Sequence, residues 1–253
     1  MKTSFIARTA EEAQRVFGRA FYSESCPRTQ VELDERVQLG AFLRAYALSA
    51  SCLFPIHVNV TPKDQRPDFK VTFAGREIGI EASKIANWEL EEIRTVQRQE
   101  GLGTIQISSL LRGQPKRIRN QKIANCTEVP VFIFGDPDQM RDEDDFWLQQ
   151  AQDIIRRKQA KTKEPTFNRY TASWLLLWDK LSYEEELERR INPLTDWLAS
   201  FWQNDSFERI IIQQQHSERF FILSRQGGEI LQRNPIVSVT EFSSAVDLCR
   251  EVE

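Results

Sequence analysis

Residues 66–84, RPDFKVTFAGREIGIEASK, decide the fold, because they hold two β-type segments joined by a turn and carry acids where a plain sheet would need none. In an extended strand alternate side chains share a face, so Phe69, Val71 and Phe73 oppose Asp68, Lys70 and Thr72. In the next segment Ile78, Ile80, Ala82 and Lys84 oppose Glu77, Gly79, Glu81 and Ser83. Ala74-Gly75-Arg76 suits a tight hairpin between them. Folding there brings Asp68 and Glu81 to the same side and the same end of the pair. Two ionised carboxylates held together repel unless a cation neutralises them. A hard divalent ion such as Mg²⁺ takes carboxylate, carbonyl, water and phosphate oxygens, and Asp68, Glu81 and the Ala82 backbone carbonyl make a suitable set.

Outward from this hairpin, the pattern alternates helix and strand. Residues 9–21 place Ala10, Ala13, Phe17 and Phe21 at helical spacing, giving a helical N-terminal extension over about 1–29. Residues 30–49 put Leu39, Phe42 and Tyr46 on one stripe, with Glu35 on the same stripe. Strands are expected at 56–60, 69–73 and 77–83, then at 129–134, 173–179, 209–213 and 219–223. Helices are expected at 146–163, capped by Asp144 or Asp145, and at 183–203. The acidic run 136–145 reads as a solvated loop ahead of the first of these helices. Residues 88–128 are charged and broken by glycine, and read as an insertion that includes a short helix over 117–126. The whole, 1–253, is expected to be a single α/β domain with helices flanking a mixed sheet.

Composition narrows the function classes. A formal net charge of −3 gives no global attraction to nucleic acid, but residues 112–122 and 156–163 each hold five basic side chains. The apolar run WLLLW at 174–178 is far short of the roughly 20 residues that cross a bilayer. The N-terminus lacks the apolar core of a signal peptide, so a cytoplasmic protein without membrane contact is expected. Cys26, Cys52, Cys126 and Cys249 form no C-x-x-C pair and read as neutral thiols. His57 and His216 have no nucleophile partner in the sequence, Gly101 to Thr104 lacks a phosphate-loop lysine, and the tryptophans sit at core-like spacing.

Pro67-Asp68-Phe69, a hairpin, then Ile80-Glu81-Ala82-Ser83 after an N-terminal helix resembles the PD-(D/E)xK superfamily of restriction-endonuclease-like nucleases. The resemblance covers residues 30–84 and 146–179, and implies an α-β-β-β-α-β core. It implies a Mg²⁺- or Mn²⁺-dependent nuclease acting on nucleic acid, DNA above all, with a homodimer suited to double-strand cutting. Asp68 and Glu81 match the acids of the pattern, and Glu35 is a candidate for its helix glutamate. Ser83 stands where the pattern has lysine and becomes a water-orienting hydroxyl. Lys84 is one residue late and points to the opposite face. Trp147, Ala151, Ile154 and Lys158 recur at helical spacing, so Lys158 is the better cation, arriving from the following helix. The missing lysine also leaves open an inactive nuclease-fold module that binds nucleic acid or protein. A third reading makes Asp68 and Glu81 surface ion-pair partners of Lys70 and Arg66.

Overall fold

A computed structural model describes residues 4–18, 21–22, 25, 27, 29–61, 67–86, 137–165, 167–180, 184–202, 207–214 and 219–232. Their order is β1 (Ser4–Ala7), α1 (Ala10–Val16), α2 (Gln30–Tyr46), β2 (Ile56–Val60), β3 (Phe69–Phe73), β4 (Arg76–Ile85), α3 (Pro137–Thr162), β5 (Ala172–Asp179), α4 (Glu184–Phe201), β6 (Arg209–Gln214), β7 (Arg219–Ser224) and β8 (Gly227–Gln232). The strands form one mixed sheet in chain order. Both wings are antiparallel, while β4, β5 and β6 run parallel at the centre. Parallel neighbours need crossovers, and α3 and α4 lie in the two that connect them. The protein is therefore α/β, and α2, β2, β3, β4, α3 and β5 follow one another in the expected order.

The sheet buries its two faces differently. On one face α1 and α2 cover a continuous apolar layer from β1 to β8, including Phe5, Val58, Phe69, Val71, Ile80, Trp174, Ile211 and Phe220. Trp174 stacks on Phe73 at 5.6 Å and meets Tyr46 and Phe42 edge-on. That contact explains its core-like spacing. On the other face α3 and α4 cover Leu175, Leu177, Ile210 and Ile212, and β4 contributes only Ile85. The apolar layer there stops at β4. Beyond it, on β3 and β4, the same face carries Lys70, Thr72, Glu77, Gly79, Glu81 and Ser83.

Several boundaries differ from the sequence reading. The N-terminal extension opens with a strand: Phe5 and Ala7 are buried, and β1 pairs with β2. Four residues are too few for alternation to declare itself against the helical pattern that follows. Helix α3 begins at Pro137, so residues 137–145 of the acidic run are helical rather than a loop. Proline suits a first helical turn and acids favour an N-terminus, which is why the run tolerates helix. Strand β8, rich in glycine at its start, was not expected. The β3–β4 turn is a two-residue one at Ala74 and Gly75, with φ of 47° and 91°. Two positive φ values define the type I′ hairpin, and glycine adopts the second without strain. The 117–126 helix, the 129–134 strand, the insertion, His216, Cys26, Cys126 and Cys249 lie outside the described residues.

Asp144 is the link between α3 and α4 rather than a cap. Its carboxylate accepts from Arg189 Nε at 2.6 Å and from Arg190 Nε at 2.6 Å, and Arg190 is buried. Burial raises its pKa, but the hydrogen bonds and charges of the two arginines outweigh this and hold it below the usual carboxylate range. A depressed pKa contributes stability above the unfolded value of about 3.9, lost as pH falls through the folded value. Asp144→Ala is expected to cost about 2 kcal/mol at neutral pH, a Tm drop of about 4–8 °C. Melting curves at descending pH check the cause: the gap to wild type should close below about pH 4.

Candidate functional site

The site begins where the β3–β4 ladder ends. Phe69 pairs with Ile80, so the register sets Asp68 opposite Glu81 and Pro67 opposite Ala82. Phe73 and Arg76 flank a two-residue turn, so they and every second pair beyond them exchange ladder hydrogen bonds. Pro67 stands at such a position and has no N–H to donate to the Ala82 carbonyl. The Ala82 N–H in turn donates to Asp68 Oδ2 at 2.9 Å. A side chain has taken the place of a backbone partner. In a strand a residue's N–H and C=O lie on the same edge, so the Ala82 carbonyl faces the β3 side, where the Asp68 carboxylate stands.

Helix α3 supplies the charge that this end needs. Trp147, Ala151 and Ile154 are buried against the sheet, and the same stripe delivers Lys158. Its Nζ donates to Glu81 Oε2 at 2.6 Å and lies 3.5 Å from Asp68 Oδ2. Glu81 is 0% exposed and Asp68 keeps 18%, so the group opens to solvent on the Asp68 side. Burying an ammonium and a carboxylate costs several kcal/mol each unless they are paired in good geometry, and here two carboxylates share one cation. Ser83 follows Glu81 on the same face and is half-buried.

Lys84 points the other way, as strand alternation requires. Its Nζ lies 3.8 Å from Asp34 of α2, which also receives Lys180 at 3.4 Å. Glu35 is half-buried beside Asp34, and among the described residues no group of three histidine, cysteine or acidic side chains comes together to hold a metal. Lys70 pairs with Glu77 rather than with Asp68 or Glu81, which corrects the surface-pair reading for that residue; Arg66 lies outside the described residues. His57 lies on β2 opposite Thr72. Burial pushes the Cys52 thiol up to about 11, so it stays a thiol at neutral pH.

The sequence reading missed the wall of the site. A Cβ on Gly79 would meet Pro67 Cγ and Tyr170 Cδ2, both at 2.7 Å, so proline and tyrosine close over this glycine next to Asp68. An isolated glycine inside a strand is the signal for such a close approach. No protein-family model matches the chain, nor does any curated protein or any solved structure. The site therefore stands on its geometry.

Two outcomes test this geometry. Glu81→Ala strands a buried lysine and is expected to destabilise by about 3 kcal/mol, whereas Glu81→Leu with Lys158→Met should recover most of that loss. Denaturant titrations of both variants and of the single Lys158→Met give the coupling. Gly79→Ala forces Pro67 and Tyr170 outward and should cost about 1–3 kcal/mol, read in the same titration.

Proposed function

We propose that this protein is a metal-dependent nuclease with a restriction-endonuclease-like core, hydrolysing phosphodiester bonds, of DNA in the first instance. The observation that carries the reading is the placement of the Asp68 and Glu81 carboxylates around one cation at the parting of two strands, with Asp68 also accepting from the Ala82 N–H. The ammonium of Lys158 already holds positive charge between both carboxylates, so the donor set fits a hard divalent ion. Asp68, Glu81 and the Ala82 carbonyl would hold Mg²⁺ or Mn²⁺, which when bound lowers the pKa of a water and offsets charge on the scissile phosphate.

The protein's own groups divide the remaining work. Lys158 supplies the cation that Ser83 cannot, held beside Glu81 and aimed from the helix rather than from the strand. Ser83 presents a hydroxyl on the same face, one pleat beyond Glu81, suited to orient a water. Pro67 and Tyr170 pack over Gly79 beside Asp68. Of the two basic runs expected to meet phosphates, 156–163 lies on the last turns of α3 and the following residue, and 112–122 falls outside the described residues. A homodimer would suit cutting of both strands.

A second reading has its own observation. Because Lys158 already pairs with both carboxylates and Glu35 joins no metal-holding group among the described residues, the same fold suits a non-catalytic module that binds nucleic acid or protein.

The test is cleavage of linear, supercoiled and single-stranded DNA with Mg²⁺ or Mn²⁺, using a chelator and Asp68→Asn as controls. Asparagine keeps an oxygen for the Ala82 N–H but loses the charge, so cleavage should vanish in both controls. Lys158→Met is expected to slow cleavage by about 100-fold, and Lys84→Ala to leave it unchanged. Cleavage that survives Asp68→Asn rules this site out; absence of cleavage on every DNA with binding retained selects the non-catalytic module.

A further inference from the structure

The basic run at the end of α3 is split by the helix itself. Successive residues turn about 100°, so Arg156, Gln159 and Lys163 form one stripe while Lys158 lies on the far side, against Glu81. That outer stripe faces Trp197, Ser200 and Phe201 of α4, which sit at helical spacing of three and four. Together these six side chains line a groove of about 240 Å³ between α3 and α4.

Its chemistry is specific. Arg156 and Lys163 are exposed and cationic, Gln159 and Ser200 are neutral hydrogen-bonding groups, and among the described residues no acid lines the groove. Arg156 also meets Asp153, one helical turn back, at 3.3 Å outside the lining. Trp197 stacks on Phe201 with ring centroids 4.5 Å apart, and the Arg156 guanidinium lies 5.1 Å from the Trp197 ring. A cationic rim beside an aromatic pair is the combination that holds single-stranded nucleic acid: the charges take phosphates without reading sequence, and flat apolar surface takes a sugar or base.

The geometry points to this groove as a second nucleic-acid contact that takes a single strand, with phosphates at Arg156 and Lys163 and a sugar or base against the edge of the Trp197–Phe201 pair. The inference rests on the proposed function only for the class of ligand. It goes beyond it in assigning strandedness and in separating binding from the carboxylate site, since α3 stands between the two.

The experiment is fluorescence anisotropy of a labelled oligothymidylate with the full chain in chelator, as a function of salt. The variant is Arg156→Gln with Lys163→Gln, both exposed positions, with its fold checked by thermal melting. Removing two phosphate contacts should lower the salt slope by about 1.4 and weaken binding about 25-fold at about 0.1 M salt. Arg76→Gln, an exposed arginine paired with Glu208 elsewhere on the sheet, controls for charge alone and should change nothing. The assignment is overturned if wild type does not bind, if the double variant binds as tightly, if Arg76→Gln weakens binding equally, or if duplex DNA or anionic vesicles are preferred. The measurement is made in chelator and reads binding rather than cleavage, so the groove and the nuclease reading fail separately.

Discussion

The contact between Lys158 and Glu81 fixes how helix and sheet meet. The two residues are 77 apart in sequence, and both are buried. Their desolvation is offset only when the ammonium reaches the carboxylate closely, and a helix rotated by one residue would swing Lys158 through about 100° and strand it. The apolar stripe of Trp147, Ala151 and Ile154 docks α3 with broad tolerance, as apolar surfaces slide at modest cost. The ion pair narrows that tolerance. What it contributes is chiefly orientation, because a buried pair often gains little over a well-packed apolar one.

The pair also marks a boundary in the sheet. On the α2 face, buried apolar residues run from β1 to β8 without interruption. On the α3 face they run from β4 outward to β7 only, and the wing formed by β1, β2 and β3 presents Ile6, His57, Asn59, Lys70 and Thr72, all half-buried or exposed. Asp68, Glu81 and Lys158 sit where dry surface gives way to wet. Charges placed farther into the layer would lack water, and charges placed farther out would be screened by it.

Much of this could be read in the chain. Strand alternation and a tight turn through Gly75 made the shared side and end of Asp68 and Glu81 legible, but the register was not, because three residues, Ala74-Gly75-Arg76, were expected between the strands where the structure has two. Lys158 was legible from helical spacing on an apolar stripe. The correct face of Lys84 followed from alternation alone. What stayed hidden depends on distance in sequence. Tyr170 closes over Gly79 from a segment with no periodicity, and Asp34 receives Lys84 and Lys180 because the rotation of α2 is set by packing. The start of α3 was obscured because an acidic run suits both a solvated loop and a helix N-terminus. Strands β1 and β8 are short and owe their form to a neighbour's edge, not to their own pattern.

Pro67 ties the site to the end of the ladder. A residue with an N–H in that place would continue the exchange with Ala82, and the two strands would stay zipped past Glu81. Proline stops the exchange, Asp68 fills the vacancy at the Ala82 N–H with a carboxylate oxygen, and its backbone carbonyl still accepts from Thr61 N at 3.2 Å on the β2 side. The backbone of Asp68 thus stays with β2 while its side chain reaches across to β4. Oxygen donors from two strands gather at one point because the sheet opens there, and a cation, Lys158, comes from the helix above. The acidic pair is a consequence of how the hairpin ends, so a change that restored the ladder would remove the site even with both acids still in the sequence.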